Sequence, residues 1–180
     1  MLTCRVPRFA VLLVLASAVL GGCTPSTSAS SPTPAVSVTS APPTPTLSDG
    51  QKAANYTVVK YRALIDELRQ QYKPDVARLS TLSRGAAYEK WRYTLQDDFV
   101  NGYHQVGTTS VAIVTTDPGA TSQQWIVNGC LDTSQTDIVD KYGKTTLTTP
   151  EGKVKVVYTV DQDATSLSWF VTKDEVKGSC

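Results

Sequence analysis

Between residues 49 and 102, apolar side chains recur three and four positions apart. Ala54, Val58, Tyr61, Ile65, Leu68 and Tyr72 form the first such series, a spacing that lines up side chains on one face of a helix. Ser48 followed by Gln51 has the form of a capping box, in which each side chain accepts the other residue's backbone N–H. The pattern predicts one amphipathic helix of about five or six turns, interrupted at Pro74, where the missing N–H breaks the ladder. Asp75 to Leu82 reads as a short helical or turn segment, and Ser83 as the next start signal. Tyr88, Trp91, Leu95 and Phe99 then share one face of a second helix, which Gly102 can end in a left-handed conformation. The aromatic stripe has two readings, packing against a sheet or one wall of a ligand cavity.

After Gly102 the period shortens to two. Thr109 to Thr116 is rich in β-branched residues and runs into the turn sequence Asp117-Pro118-Gly119. Beyond it Trp125, Val127, Gly129 and Leu131 alternate with Ile126, Asn128, Cys130 and Asp132, which predicts a hairpin. A third strand is expected from about Thr136 to Thr148, kinked at Tyr142-Gly143, and a fourth through Val154, Val156, Tyr158 and Val160. Asp161 to Ala164 turns the chain into Leu167, Trp169 and Val171. Helices first and strands afterwards make an α+β domain from residue 49 to 180, with N-terminal helices on one face of a curved antiparallel sheet of about four to five strands.

The first 22 residues follow another logic. Arg5 and Arg8 precede an apolar run from Phe9 to Leu20, too short to span a bilayer as a helix and suited to the core of a signal peptide. Leu20-Gly21-Gly22-Cys23 follows and resembles the lipobox of bacterial lipoproteins. The resemblance implies that Cys23 becomes diacylated and amino-terminal after cleavage, so that lipid chains anchor the protein at the extracytoplasmic face of the cell membrane. Residues 24 to 48 contain seven Ser, six Thr and six Pro with no charged or aromatic residue. Such a segment cannot bury enough apolar surface to fold and reads, with Cys23, as a disordered tether. Its Ser/Thr-Pro density also suits O-glycosylation.

Composition then narrows the chemistry. The full chain has 17 Lys plus Arg against 16 Asp plus Glu, and loss of Arg5 and Arg8 on processing leaves a net charge of about −1. No electrostatic footprint for nucleic acid is present. With one His in the chain, a transition-metal site has few of its usual ligands, and no cofactor is expected. Of the four cysteines, Cys4 leaves with the signal peptide and Cys23 carries lipid. Cys130 and Cys180 remain in an oxidising compartment, where two leftover cysteines usually pair. A redox role is disfavoured because no CxxC spacing and no basic neighbour would lower a thiol pKa.

Candidate catalytic groups are sparse. His104 is the one imidazole, and no GxSxG nucleophile motif accompanies it. Asp97 and Asp98 point about 100° apart on a helix and read as solvated. Asp161 and Asp163 resemble the opening of a calcium loop, but Ser166 and Thr172 stand where Gly and Glu are needed. Asp132, Thr133 and Ser134 read as a turn after a strand. No catalytic residue is assigned, and the chain is not read as an enzyme.

The succession of helices and strands, with Trp169 expected near the end of the last strand, resembles the cystatin-like fold of nuclear-transport-factor-2-like proteins. Cys23, the Thr24–Ser48 stalk, Cys130 with Asp132-Thr133-Ser134, Asp140 with Gly143, Trp169 and Cys180 together resemble actinobacterial and actinophage lipoproteins of unknown function. The fold resemblance implies a cone-shaped interior, with Tyr88, Trp91, Tyr103, His104, Trp125, Tyr158 and Trp169 as candidate pocket residues. The expectation is a membrane-anchored lipoprotein with a non-catalytic binding or scaffold domain and a protein partner in the cell envelope. Two alternatives are a carrier or sensor of a small hydrophobic ligand, and a phage-encoded surface protein that interferes with superinfection.

Overall fold

The computed structural model describes residues 46–146 and 152–180. Cys4, the lipobox Leu20-Gly21-Gly22-Cys23, most of the expected tether and the end of the expected third strand at Thr148 lie outside the described residues. The first helix, α1, spans Asp49–Arg69. Its capping box forms as expected, with Ser48 Oγ accepting the Gln51 N–H at 3.2 Å and Gln51 Oε1 accepting the Ser48 N–H at 2.8 Å. Ala54, Val58, Tyr61, Ile65 and Leu68 are fully buried. Tyr72 does not extend this face, because α1 ends at Arg69 and leaves it exposed. Pro74 disfavours helical geometry at the residue before it, so the chain must leave the helix ahead of it.

A 3-10 turn at Val76–Thr81 follows, started by the Asp75 carboxylate accepting the Ala77 N–H. Ser83 does not cap the second helix. It is buried and its hydroxyl donates to the Leu79 carbonyl, while Arg84 takes the cap position without capping the helix through its side chain. Val171 N–H donates to the Leu82 carbonyl and Arg84 N–H to the Val171 carbonyl, so this connection is sewn to the last strand instead. Helix α2 spans Gly85–Asn101 and ends at Gly102 with φ of 70°. Ala87, Trp91 and Leu95 are buried, and Phe99 in the final turn is half exposed.

Six strands follow among the described residues: β1 at His104–Val106, β2 at Ser110–Pro118, β3 at Gln124–Asp132, β4 at Asp137–Val139, β5 at Lys153–Gln162 and β6 at Trp169–Ser179. The main sheet is antiparallel in the order β2-β3-β5-β6, and β1 pairs with β4 as a separate antiparallel ribbon. The expected long third strand is therefore corrected. Asp140 Oδ1 accepts the N–H groups of Tyr142 and Lys144, and this local alternative to ladder bonding ends β4 after three residues. Trp169 is corrected too, since it opens β6.

The helices cover one face of the main sheet. Val127 and Leu131 of β3 and Val156, Tyr158 and Val160 of β5 meet them in the core. Gly129 sits between these residues because a Cβ there would stand 3.0 Å from Val111 and 3.4 Å from the Tyr158 ring. Edge strand β2 carries an irregularity at Val114, between the paired positions Ile113 and Thr115. That bulge and Pro118 at its end blunt the open edge against further strand pairing.

Cys130 of β3 and Cys180 are joined by a disulfide, with Cα atoms 6.0 Å apart across 50 residues of sequence. Since β5 lies between β3 and β6, and two strand spacings amount to about 9.6 Å, the end of the chain must curl over β5 to reach Cys130. Cys180 N–H donates to the Lys153 carbonyl on the way. Reduction, or Cys180→Ser, should lower unfolding free energy by about 2–4 kcal/mol through the larger entropy of the open unfolded chain. Urea titration of the oxidised and reduced forms measures it, with the helical circular dichroism of the native form unchanged.

Candidate functional site

One carboxylate ties together three elements of the domain, α1, α2 and β6. Asp174 of β6 has a side chain only 2 % exposed and faces both helices. Its Oδ2 accepts the Tyr61 hydroxyl at 3.1 Å and the Trp91 indole N–H at 2.9 Å, and its Oδ1 receives the Lys90 ammonium at 2.9 Å. Tyr61 comes from α1, Lys90 and Trp91 from α2. Trp and Tyr bury a large apolar body but need a partner for one polar atom, and here one acid serves both. Burial, reinforced by the Asp174 charge, drives the Tyr61 phenol far above its ordinary pKa. The Tyr158 ring meets Tyr61 edge-on at 6.4 Å. Burial raises its phenol to about 12, against an opposing pull from Arg62 and with a smaller push from Asp174.

A second buried acid, Asp66 of α1, is equally committed. Its Oδ2 accepts the Thr109 N–H at 2.7 Å and the Thr109 hydroxyl at 2.9 Å, while Oδ1 accepts the Gln105 amide at 2.9 Å. These bonds fix the connection between β1 and β2 against α1. Gln70 adds a bond to the Gly107 carbonyl, and Gly107 is obligatory there because it has φ of 76° and a Cβ would overlap the Gln135 carbonyl oxygen.

Beside this connection lies a cleft of about 480 Å³, with Val59, Arg62 and Ala63 of α1 on one side and Thr108, Ser110 and Val111 on the other. Arg62 is 7 % exposed, its guanidinium carbon is 5.3 Å from the Trp91 ring centroid, and its Nε has no hydrogen-bond partner among the described residues. A smaller cleft, of about 350 Å³, lies by the disulfide, between Val114, Asn128, Lys155 and Cys180.

The seven expected pocket residues are distributed differently. Trp91 and Tyr158 are core residues. Tyr88, Trp125 and Trp169 pack partly buried against that core, and Tyr103 is partly buried between α2 and β1. Trp125 lies under the first turn of α1, where its ring meets Gly50. The His104 ring packs on Tyr72 at 4.6 Å, beyond the other end of α1, and its buried Nδ1 has no hydrogen-bond partner among the described residues. The 21 residues of α1 rise about 30 Å, so Trp125 and His104 do not share an opening.

Asp98 differs from its expected solvated state, for Arg69 binds it through Nε at 3.0 Å and Nη2 at 2.9 Å. The turn readings of Asp132 and Asp163 agree with the structure: Asp132 Oδ1 accepts the Ser134 N–H, and Asp163 Oδ1 those of Thr165 and Ser166. Among the described residues no three His, Cys, Asp or Glu side chains gather as metal ligands would, and no helix is long and apolar enough to cross a membrane.

Asp174→Ala should cost about 3–5 kcal/mol, since it strands two buried donors and an ammonium partner; thermal or urea unfolding reads the loss. Tyr158 supplies a pH dependence. Its folded pKa lies above the unfolded value of 10, so its contribution is complete below pH 10 and declines as pH rises from 10 to about 12, where only the unfolded chain ionises readily. Alkaline unfolding followed by phenolate absorbance should place the transition in that window, and Tyr158→Phe should shift it to higher pH.

No family model matches the chain, and no curated protein matches it. Among solved structures it is similar to the intermembrane-space region of the chloroplast protein ARC6, with a TM-score of 0.57 and 16 % sequence identity. The match covers 75 % of this chain and 100 % of that one. At that identity the likeness concerns the fold, an α+β arrangement of helices followed by an antiparallel sheet.

Proposed function

We propose that the protein is a lipoprotein anchored through Cys23 at the extracytoplasmic face of the cell membrane. Its cystatin-like domain serves there as a non-catalytic binding or scaffold module for a partner in the cell envelope. The address rests on the charged, apolar and lipobox sequence ahead of Cys23 and on the uncharged Ser/Thr/Pro tether behind it. The cystatin-like assignment is supported by two N-terminal helices against a four-stranded antiparallel sheet.

The observation that carries the non-catalytic reading is how the buried acids are used. Asp174 and Asp66 each receive at least three hydrogen bonds from the protein itself. A general base needs a lone pair turned toward a substrate; these acids spend theirs on holding the helices to the sheet and to the loop between β1 and β2. His104 is packed against Tyr72, and strand β1 pairs it with Val139.

Detergent phase partition of the expressed chain tests the anchor. Wild type should enter the detergent phase and incorporate labelled palmitate, whereas Cys23→Ala should remain aqueous and unlabelled. Equal partition of the two, or an unmodified Met1 found by mass spectrometry, refutes the anchor.

A further inference from the structure

We propose that the cleft between α1 and the chain entering β2 binds a small free monocarboxylate with a short apolar tail, and that Arg62 receives its carboxylate. This deepens the binding-module reading and rests on it. Arg69, Arg78 and Arg92 pair with Asp98, Glu67 and Glu89 respectively. Arg62 is more buried than any of them and forms no ion pair or hydrogen bond among the described residues. A guanidinium N–H taken out of water without an acceptor, as the Arg62 Nε–H is among the described residues, carries a desolvation cost that an incoming anion would relieve. The Trp91 ring, 5.3 Å from its central carbon, engages it as a cation–π pair, and this leaves its N–H donors unmatched. Those donors form a planar fork that fits the two oxygens of a carboxylate.

The rest of the cleft sets the ligand's charge and shape. Asp66 shares the cleft but is occupied by Thr109 and Gln105, and Glu67 at the rim is held by Arg78 in a two-point pair. Neither pairs with Arg62, and Arg62 is the one cation in the cleft lining, so a dianion such as a phosphate monoester would leave one of its charges uncompensated whereas a monoanion would not. Val59, Ala63 and Val111 offer an apolar wall, and the hydroxyls of Thr108 and Ser110 make no side-chain hydrogen bond among the described residues. A volume of about 480 Å³ falls in the range that takes small organic ligands.

The test is a titration of the full mature chain with sodium hexanoate, following the Arg62 Nε–H resonance by NMR, with hexan-1-ol and hexyl phosphate in parallel. Hexanoate should shift that resonance saturably and bind at least about tenfold more tightly than either analogue, the margin one charge-assisted contact provides. Arg62→Gln should weaken hexanoate by a similar factor. Ala63→Trp, which fills the cleft from an exposed position and leaves the guanidinium in place, should abolish binding with the circular dichroism spectrum retained. Equal binding of hexanoate and hexanol, or hexanoate binding unchanged in Ala63→Trp, overturns the proposal. A capped Ala-Glu-Ala peptide binding more tightly than hexanoate overturns the assignment to a free acid. None of these failures affects the anchor, which detergent partition reads separately.

Discussion

The fold depends on a single acid that is asked to satisfy three donors. Two helices and a sheet can be pressed together by apolar contact alone, but apolar contact is indifferent to sliding. Asp174 removes that freedom: Tyr61 fixes where α1 crosses β6, and Trp91 with Lys90 fixes where α2 does. Because Lys90 keeps its own side chain 44 % exposed, the ion pair is desolvated on one side only, which lowers the burial cost that makes fully enclosed pairs expensive. The network therefore combines layer registration with a modest desolvation penalty. Asp66 repeats the device on a smaller scale, tying the loop between the two sheets to α1.

What could be read from the residues divides along the range of the interactions. The capping box at Ser48, the buried stripe from Ala54 to Leu68, the alternation through Val127 and Leu131, and the Cys130–Cys180 pair are set by neighbours in sequence or by elimination, and they were legible. Ser83, Asp98 and the segment after Asp137 were not, because each had a local reading that a distant partner or a competing turn displaced. Ser83 looks like a cap until Val171 claims the backbone on both sides of it. Asp174 was hidden for a related reason: Lys173-Asp174-Glu175 has the composition of a solvated strand end. The available clue lay elsewhere, in Tyr61 and Trp91, two amphipathic side chains on inward helix faces that each required an acceptor from some other element.

The aromatic residues illustrate the same limit. Counting rings between helices and strands suggested a lined opening, yet ring count does not distinguish a filled interior from a hollow one. Gly129 is what allows the Tyr158 ring to lie flush within the layer, and with Trp91 it fills the volume a central cavity would need. The larger of the two clefts described is lateral, along α1, beside a basic group rather than among the rings. Arg62 sits on that boundary, at a helical position between the buried stripe and the exposed face.

The start of α1 has a mechanical consequence. The Ser/Thr/Pro-rich sequence runs up to Ser48, and Gln51, the partner in its capping box, also donates through its side-chain amide to the Thr116 carbonyl of β2 at 2.9 Å. Tension applied along the preceding residues would thus reach a helix end already latched to the sheet, so load would pass sideways into the strand ladder as well as along the helical turns.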